Sequence, residues 1–335
     1  MRKTLLITLL LSGFLSTAQQ NINDLLAAGV NDAQRFTNDY LAPASEGLMY
    51  GMSNGWFNSA EAKPFLGFEI SIIGNISPVK DEKKAFELNT DVYENLHFAD
   101  GKASKQVATA LGDIEGIEMY VESEVAPGVT ERVDITLPTG LASENVNFVP
   151  TAFVQLSVGL FKGTEVKARF FPKVDSDDVK VGFYGFGIQH EFTQWLPGNS
   201  LFPVAISGLV GYTHLDGSYD FTNTGIVDGE NQHFETNANT WVFQAIASTK
   251  LPVINFYGSL GYLTGKSNTD ILGTYKVQSG PFQETIKDPF SVSKNTSGVR
   301  ATLGTKLKLS VFRLNVDYTF AEFNSLNLGI NFGFR

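Results

Sequence analysis

The chain has 335 residues, 43% hydrophobic and 12% aromatic, with 32 glycines, no cysteine and a formal net charge of −10. That acidic balance excludes nucleic acid as a natural partner, since phosphate binding needs a clustered basic surface. The absence of cysteine excludes a small disulfide-stapled secreted domain, and abundant glycine and aromatics in short apolar runs favour an all-β chain over a helical one.

The N-terminus reads as a signal peptide over residues 1–18. Arg2 and Lys3 precede an apolar stretch, Leu5–Leu15, too short to cross a bilayer, and Ser16-Thr17-Ala18 supplies the small residues of a cleavage site. Beyond it no apolar run reaches the length of a transmembrane helix, so a membrane location requires a β-barrel.

Residues 19–63 form a separate block. Ile22, Leu26, Val30, Ala33, Phe36 and Tyr40 recur at helical spacing, with Asn21 or Asn23 as the cap and Pro43 as the stop. An irregular segment with Gly47, Gly51 and Gly55 follows. Its apolar residues Leu48, Met49, Tyr50, Met52, Trp56 and Phe57 are expected to plug a barrel lumen or its periplasmic mouth and to meet any ligand there. The ordinary reading of such a stripe is core packing.

From Phe65 the period becomes two. Leu66, Phe68, Ile70 and Ile72 alternate with Gly67, Glu69 and Ser71, and segments at 154–160, 164–170, 179–192, 204–215, 240–250, 254–266, 298–309, 312–321 and 326–334 behave alike. Most are longer than soluble strands, which average about five or six residues, and close to the roughly 9–11 that a tilted membrane-spanning strand needs. Tight turns at 161–163, 251–253 and 310–311 alternate with long polar stretches at 75–150, 216–238 and 267–297, as periplasmic turns and external loops of an outer-membrane barrel do, with a longer turn at 193–202 and a very short loop at 322–324 as partial exceptions. Glu69, Glu165, Lys167, Arg169, Lys306, Lys308, Arg313 and Asp317 fall on the face opposite the apolar rows and are expected to point into the lumen. The terminal LNLGINFGFR would pair with the first strand near Phe65, which removes both sheet edges. A β-sandwich would need a second sheet over the same apolar faces.

These features predict an antiparallel up-and-down barrel over residues 64–335 with 10–14 strands. Twelve is the preferred number, counting a hairpin of residues 116–123 and 130–138; residues 75–150 are otherwise read as a large external insertion.

The layout resembles Gram-negative outer-membrane β-barrels. Phe332 and Phe334 match the aromatic C-terminal signal through which such proteins engage the barrel-assembly machinery, although Arg335 follows them. The block from DLLAAGVNDAQRF through KPFLGFEIS resembles an uncharacterised family of exported Bacteroidota proteins. A short N-terminal plug before a barrel is also similar to the outer-membrane long-chain fatty-acid transporters, which implies a lumenal plug and hydrophobic cargo. The chain is shorter than those proteins and lacks their Asn-Pro-Ala plug motif.

No arrangement of residues points to catalysis. His97, His190, His214 and His233 lie outside any HExxH pattern, and no spacing supports a pair of His214 with Ser207 or Ser218. The acidic turns DSDD (175–178) and VDGEN (227–231) read as solvated loops, GFYGFG (182–187) as a strand feature, and Trp195, Tyr184, Tyr212, Trp241 and Tyr257 as interfacial or packing aromatics. We therefore expect a non-enzymatic barrel of the cell outer membrane, without cofactor or metal, that passively binds or passes a small hydrophobic molecule. The alternative is a non-transporting surface barrel whose external loops bind a partner. Its expected partners are outer-membrane lipid, the barrel-assembly machinery and the hydrophobic ligand.

Overall fold

The computed structural model describes residues 25–126, 129–175, 178–198, 202–220, 229–279 and 282–334; the expected signal peptide and its cleavage site lie outside these residues. Among the described residues the long helix α1 (Val30–Met52) precedes sixteen strands. Strand β1 (Phe68–Pro78) is followed by β2 (Ala85–Asn89), β3 (Leu96–Phe98), β4 (Ser104–Ala108), β5 (Glu118–Ala126) and β6 (Val129–Thr136). Then come β7 (Phe148–Gly159), β8 (Thr164–Asp175), β9 (Val179–Glu191), β10 (Val204–Asp220), β11 (Gly229–Thr249) and β12 (Ile254–Ser279). The series ends with β13 (Phe282–Lys287), β14 (Phe290–Leu309), β15 (Phe312–Phe320) and β16 (Ser325–Phe334).

Ten of these strands close into an antiparallel barrel in the order β1, β7, β8, β9, β10, β11, β12, β14, β15, β16 and back to β1. The closing seam sets Phe68 opposite Phe334 and Ile76 opposite Leu326, so the apolar C-terminal strand has no free edge. The additional strand β13 pairs only with the far end of β12.

The twelve-strand expectation is corrected to ten. The hairpin read at 116–138 does form, as β5 and β6, but it joins β3 in a separate sheet outside the barrel. Strands β2 and β4 make a second small sheet, so the insertion is a folded layer rather than an open loop.

One end of the barrel carries the tight turns 160–163, 250–253 and 310–311 together with the longer β9–β10 connection; residues 79–147 lie at the opposite end. Strands β10, β11, β12 and β14 continue well past the expected segments, reaching 17, 21, 26 and 20 residues. Stretches read as long polar loops at 216–238 and 267–297 are largely strand. Backbone pairing persists there although the outward side chains have become polar.

Outward positions form a belt. Phe68, Ile70, Ile72 and Ile76 on β1 and Leu326, Leu328, Phe332 and Phe334 on β16 are exposed, while Glu69, Ser71, Asn75, Asn327 and Asn331 are buried. Aromatics rim the belt: Phe161, Phe192, Trp195 and Phe256 towards the turn end, and Tyr184, Trp241, Tyr262 and Tyr318 towards the loop end. Such girdles mark the two interfaces of a membrane barrel.

The helix differs from expectation. It runs through Pro43 to Met52 instead of stopping before the proline, and it begins at Val30 after Gly29. Proline removes one backbone donor from a helix interior. Here the helix is held by the insertion outside the barrel and by β7, β12 and β14 within it. Its first half packs with Leu88, Phe98 and Met119 of the insertion through Phe36 and Tyr40. Its last turns enter the barrel.

Candidate functional site

Eight strands enclose an interior that side chains just fill. Ten leave room for one further chain, and residues 53–63 occupy that room. The segment descends from α1 at the loop end to Lys63 at the turn end. Gly55 lies against Ile73 and Phe153. Asn58 donates to Glu69 at 2.8 Å, and Ser59 meets Ser248 at 3.2 Å. The Ala62 amide donates to Glu191 at 2.9 Å and the Lys63 amide to Glu165 at 3.1 Å. The chain therefore threads the barrel from loop end to turn end and then turns into β1.

The expected plug residues are distributed along this thread. Met49 and Met52 pack with Ile73, Phe153 and Phe183. Tyr50 packs with Leu263 and Phe323, and Trp56 and Phe57 pack with Leu209, Val242 and Ile246. Leu48 alone remains half-buried and faces a cavity described below. The six do not form one pocket.

Trp56 seals the middle. Its ring lies against Gly187 and Gly211, where an added Cβ would approach ring atoms to 2.8 and 2.6 Å. The glycine of GFYGFG at 187 is thus a seat for an indole. On the other ring face sits the Arg169 guanidinium, 3.5 Å from the Trp56 centroid and 4.2 Å from that of Phe153. Arg169 also donates to the carbonyls of Met52 and Asn54, at 3.0 Å each, and to Gln155 at 2.8 Å. Arg300, on the same face of its strand as Lys306 and Lys308, donates to the Ser53 carbonyl and the Asn54 side chain.

Below this level the inward charges neutralise one another. Glu69 meets Arg313 at 2.6 Å, Lys306 at 3.4 Å and Lys63 at 3.7 Å. Glu165 meets Lys167 at 2.6 Å and Lys63 at 3.1 Å, and Lys250 lies 3.4 Å from Glu191. Lys308 reaches Glu61 at 3.3 Å at the rim, and Asp317 accepts from Tyr257 at 2.7 Å. Burying charge is tolerable only with such pairing. Lys63, Glu191 and Arg300 complete the network; Lys63 and Glu61 belong to the threaded segment, whose lack of periodicity hid their partners.

Outside the barrel a second ionic tie holds the insertion in place. Lys83 lies 3.0 Å from Glu46 on α1 and 2.8 Å from Glu322 on the β15–β16 turn. Burial opposes the Lys83 charge, but its hydrogen bonds to Glu322 and Glu46 prevail and raise its pKa. The Lys83 hydrogen bond holds the Glu322 carboxyl below its usual range.

The histidines stand apart. His190 meets Thr164 at 3.0 Å and Trp195 at 2.9 Å near the turn end; His214 meets Asn239 at 2.7 Å and Asp216 at 3.0 Å towards the loop end. Ser207 is an inward residue of β10 and His214 an outward one. Among the described residues no three His, Cys, Asp or Glu side chains converge. Residues 176–177 of DSDD and 227–228 of VDGEN lie outside the described part.

An apolar cavity of about 310 Å³ opens between α1 and the loop-end wall. Leu41, Ala44 and Leu48 form its floor, and Phe171, Phe183 and Leu215 line its wall. The sequence carries a trace of it. On β9 the apolar positions are Val179, Val181 and Phe183, facing in, and then Tyr184, Phe186 and Ile188, facing out. The phase of the apolar row shifts by one residue midway up the strand.

Fold and interior define a plugged antiparallel β-barrel with a folded cap and an apolar cavity beneath it. The chain belongs to a family of unknown function, DUF6588, whose profile matches residues 1–334. No curated protein matches it. Among solved structures it is similar to the attachment invasion locus protein Ail of Yersinia pestis, with 10% identity over 81% of this chain and 100% of that one and a TM-score of 0.28. It is also similar to the outer membrane protease OmpT of Escherichia coli, with 9% identity, coverage of 82% and 100% and a TM-score of 0.35. The translocator domain of the autotransporter NalP of Neisseria meningitidis gives 9% identity, coverage of 89% and 99% and a TM-score of 0.31. Scores this low carry nothing about activity.

Proposed function

We propose that the protein is an outer-membrane barrel that binds a small hydrophobic molecule in the cavity between α1 and the loop-end wall, with its lumen closed to bulk solutes. The observation that carries this reading is the cavity itself. At about 310 Å³ it lies at the lower end of the roughly 300–1,000 Å³ typical of small-molecule sites, and its lining is almost wholly apolar. The exposed belt supports the membrane location: lipid is the solvent that covers such a surface without cost, and closure satisfies the backbone. Long loops of such barrels face outwards, and in this reading α1 and the cavity lie at the external end.

The test is titration of a dansylated fatty acid against the protein in phosphatidylcholine nanodiscs. Saturable binding is expected, weakened at least about tenfold by Ala44→Trp, which fills the floor; that is about 1.4 kcal/mol. Equal affinity of the two proteins, or no saturable binding, overturns the assignment.

A further inference from the structure

We propose that two copies of this chain pair through the folded insertion, antiparallel along the free edge of β6, with Arg132 of each copy opposite the partner's Asp134. The proposal goes beyond the binding role given above and does not depend on it.

The sheet of the insertion runs β3, β5, β6, and β6 has a strand on one side only. Three backbone bonds fix which of its groups are free. The Glu122 amide donates to the Asn95 carbonyl at 3.3 Å and the Ala99 amide to the Glu118 carbonyl at 3.1 Å, so residues 118, 120 and 122 of β5 turn their backbone groups towards β3. The Leu137 amide donates to the Ile117 carbonyl at 2.9 Å, so residues 117, 119 and 121 face the other way. Their opposite numbers 137, 135 and 133 answer them. Alternate residues of a strand bond to opposite sides. The N–H and C=O groups of Arg132, Asp134 and Thr136 therefore point away from the sheet, and among the described residues nothing takes them up. Such an edge is a template for a further strand.

The side chains along this edge select the strand that fits it. Val133 and Ile135 pack inwards with Phe98 and Met119, so Arg132, Asp134 and Thr136 stand on the solvent face. Arg132 and Asp134 are exposed and lie 2.8 Å apart, and the Arg132 guanidinium rests 4.0 Å from the Tyr120 ring centroid, which holds the cation in place. A second β6 laid antiparallel on the free groups can slide only in steps of two residues. A two-fold axis at Arg132 or at Asp134 sets like charges opposite each other. With the axis at Val133, each Arg132 meets the partner's Asp134, and residue 130 meets the partner's Thr136. Opposite charges at opposed positions stabilise a ladder, and like charges destabilise it. The segment is thus its own complement in one register, where each arginine lies between two carboxylates. The contact is isologous, so it closes as a dimer and consumes both edges. Each copy is acidic overall, with a formal net charge of −10, so the contact needs salt enough to screen charges more than about 8 Å apart, as about 0.15 M does.

Sedimentation velocity of the full-length protein in dodecylmaltoside, at about 0.15 M salt, tests the contact. The unaltered chain is expected to show a reversible dimer. Arg132→Asp leaves an edge with two acids and Asp134→Arg an edge with two bases, and each is expected to raise the dissociation constant at least about tenfold. An equimolar mixture of the two variants restores both opposite pairs and is expected to dimerise as the unaltered chain does. The double variant Arg132→Asp/Asp134→Arg is expected to do the same on its own. Both positions are exposed, and recovery on mixing shows that the single variants are folded. An unaltered chain that stays monomeric at its highest soluble concentration overturns the proposal, as do single variants that dimerise undiminished. Single variants that lose the dimer, with no recovery in the mixture or in the double variant, overturn the register and the proposal with it.

Discussion

Trp56 is the residue on which the closed interior turns. Its ring is wedged between Arg169 and the bare backbones of Gly187 and Gly211, so each neighbour is defined by the indole. Trp56→Ala is expected to destabilise the barrel by about 3–5 kcal/mol, as removal of a buried aromatic does. The measure is the temperature at which the protein loses its folded mobility on a semi-native gel. Gly211→Val puts a branched side chain where the ring lies and is expected to destabilise by a similar amount. In the Trp56→Ala background the same valine enters vacated space, so the double variant is expected to be more stable than the sum of the singles predicts. Strict additivity would show that the ring does not occupy that seat. The tie among Lys83, Glu46 and Glu322 is a second single-residue matter. A carboxyl lowered on folding stabilises above its unfolded pKa, and that contribution disappears as pH falls through the folded value. For a lysine raised on folding, the stability is present below the unfolded pKa and vanishes as pH rises through the folded one. Attachment of residues 79–147 is thus expected to be firmest at neutral pH and weaker at both extremes, in a field that also includes Lys80 and Lys294 beside Glu322. Hydrogen exchange in β2 and β4 against pH reads this, and Glu322→Gln should remove the acid limb.

Among the elements, what was legible followed from period two. The turn-end halves of the barrel strands have lipid-facing and lumen-facing sides of opposite polarity, and a β pattern survives there in the residues themselves. Near the loop end the outward residues of β12 and β14 turn polar and the apolar ones face in, as Ile271, Tyr275 and Val277 do in NTDILGTYKVQS, so the apolar row changes face although the ladder continues. The helix was legible at its start, from Phe36 and Tyr40, and misread at its end, since Pro43 normally stops a helix that lacks such support. The threaded segment was recognisable as a plug by composition. Its partners were not, because pairs such as Lys63–Glu165 join residues 102 apart. The cavity leaves no mark in a count of period-two segments; only the phase shift between Phe183 and Tyr184 shows that two different apolar surfaces share one strand. Deleting residues 25–63 is expected to leave a barrel with a polar bore. Liposome swelling with small sugars should rise from near background in the full-length protein, and unchanged swelling would show that the strands close the bore alone.

For the whole molecule, the fold makes orientation measurable. If the long connections face outwards, Asn31→Cys on α1 and Gly101→Cys on the insertion react with an impermeant maleimide on intact cells. Lys162→Cys, in the tight β7–β8 turn, is expected to react only after the outer membrane is breached. The opposite pattern would invert the barrel and place the cavity at the periplasmic leaflet. Either way, the ligand site and the folded cap share one end, and the ion-paired floor of Lys63, Glu69 and Glu165 lies at the other. The route of residues 53–63 also constrains how the protein is made. A cord that fills its sheath cannot be drawn in once the sheath is sewn shut, because every step would drag Trp56 past Gly187 and Gly211. Biogenesis must then lay the early polypeptide down first and wrap the strands about it, with the β1–β16 seam stitched last.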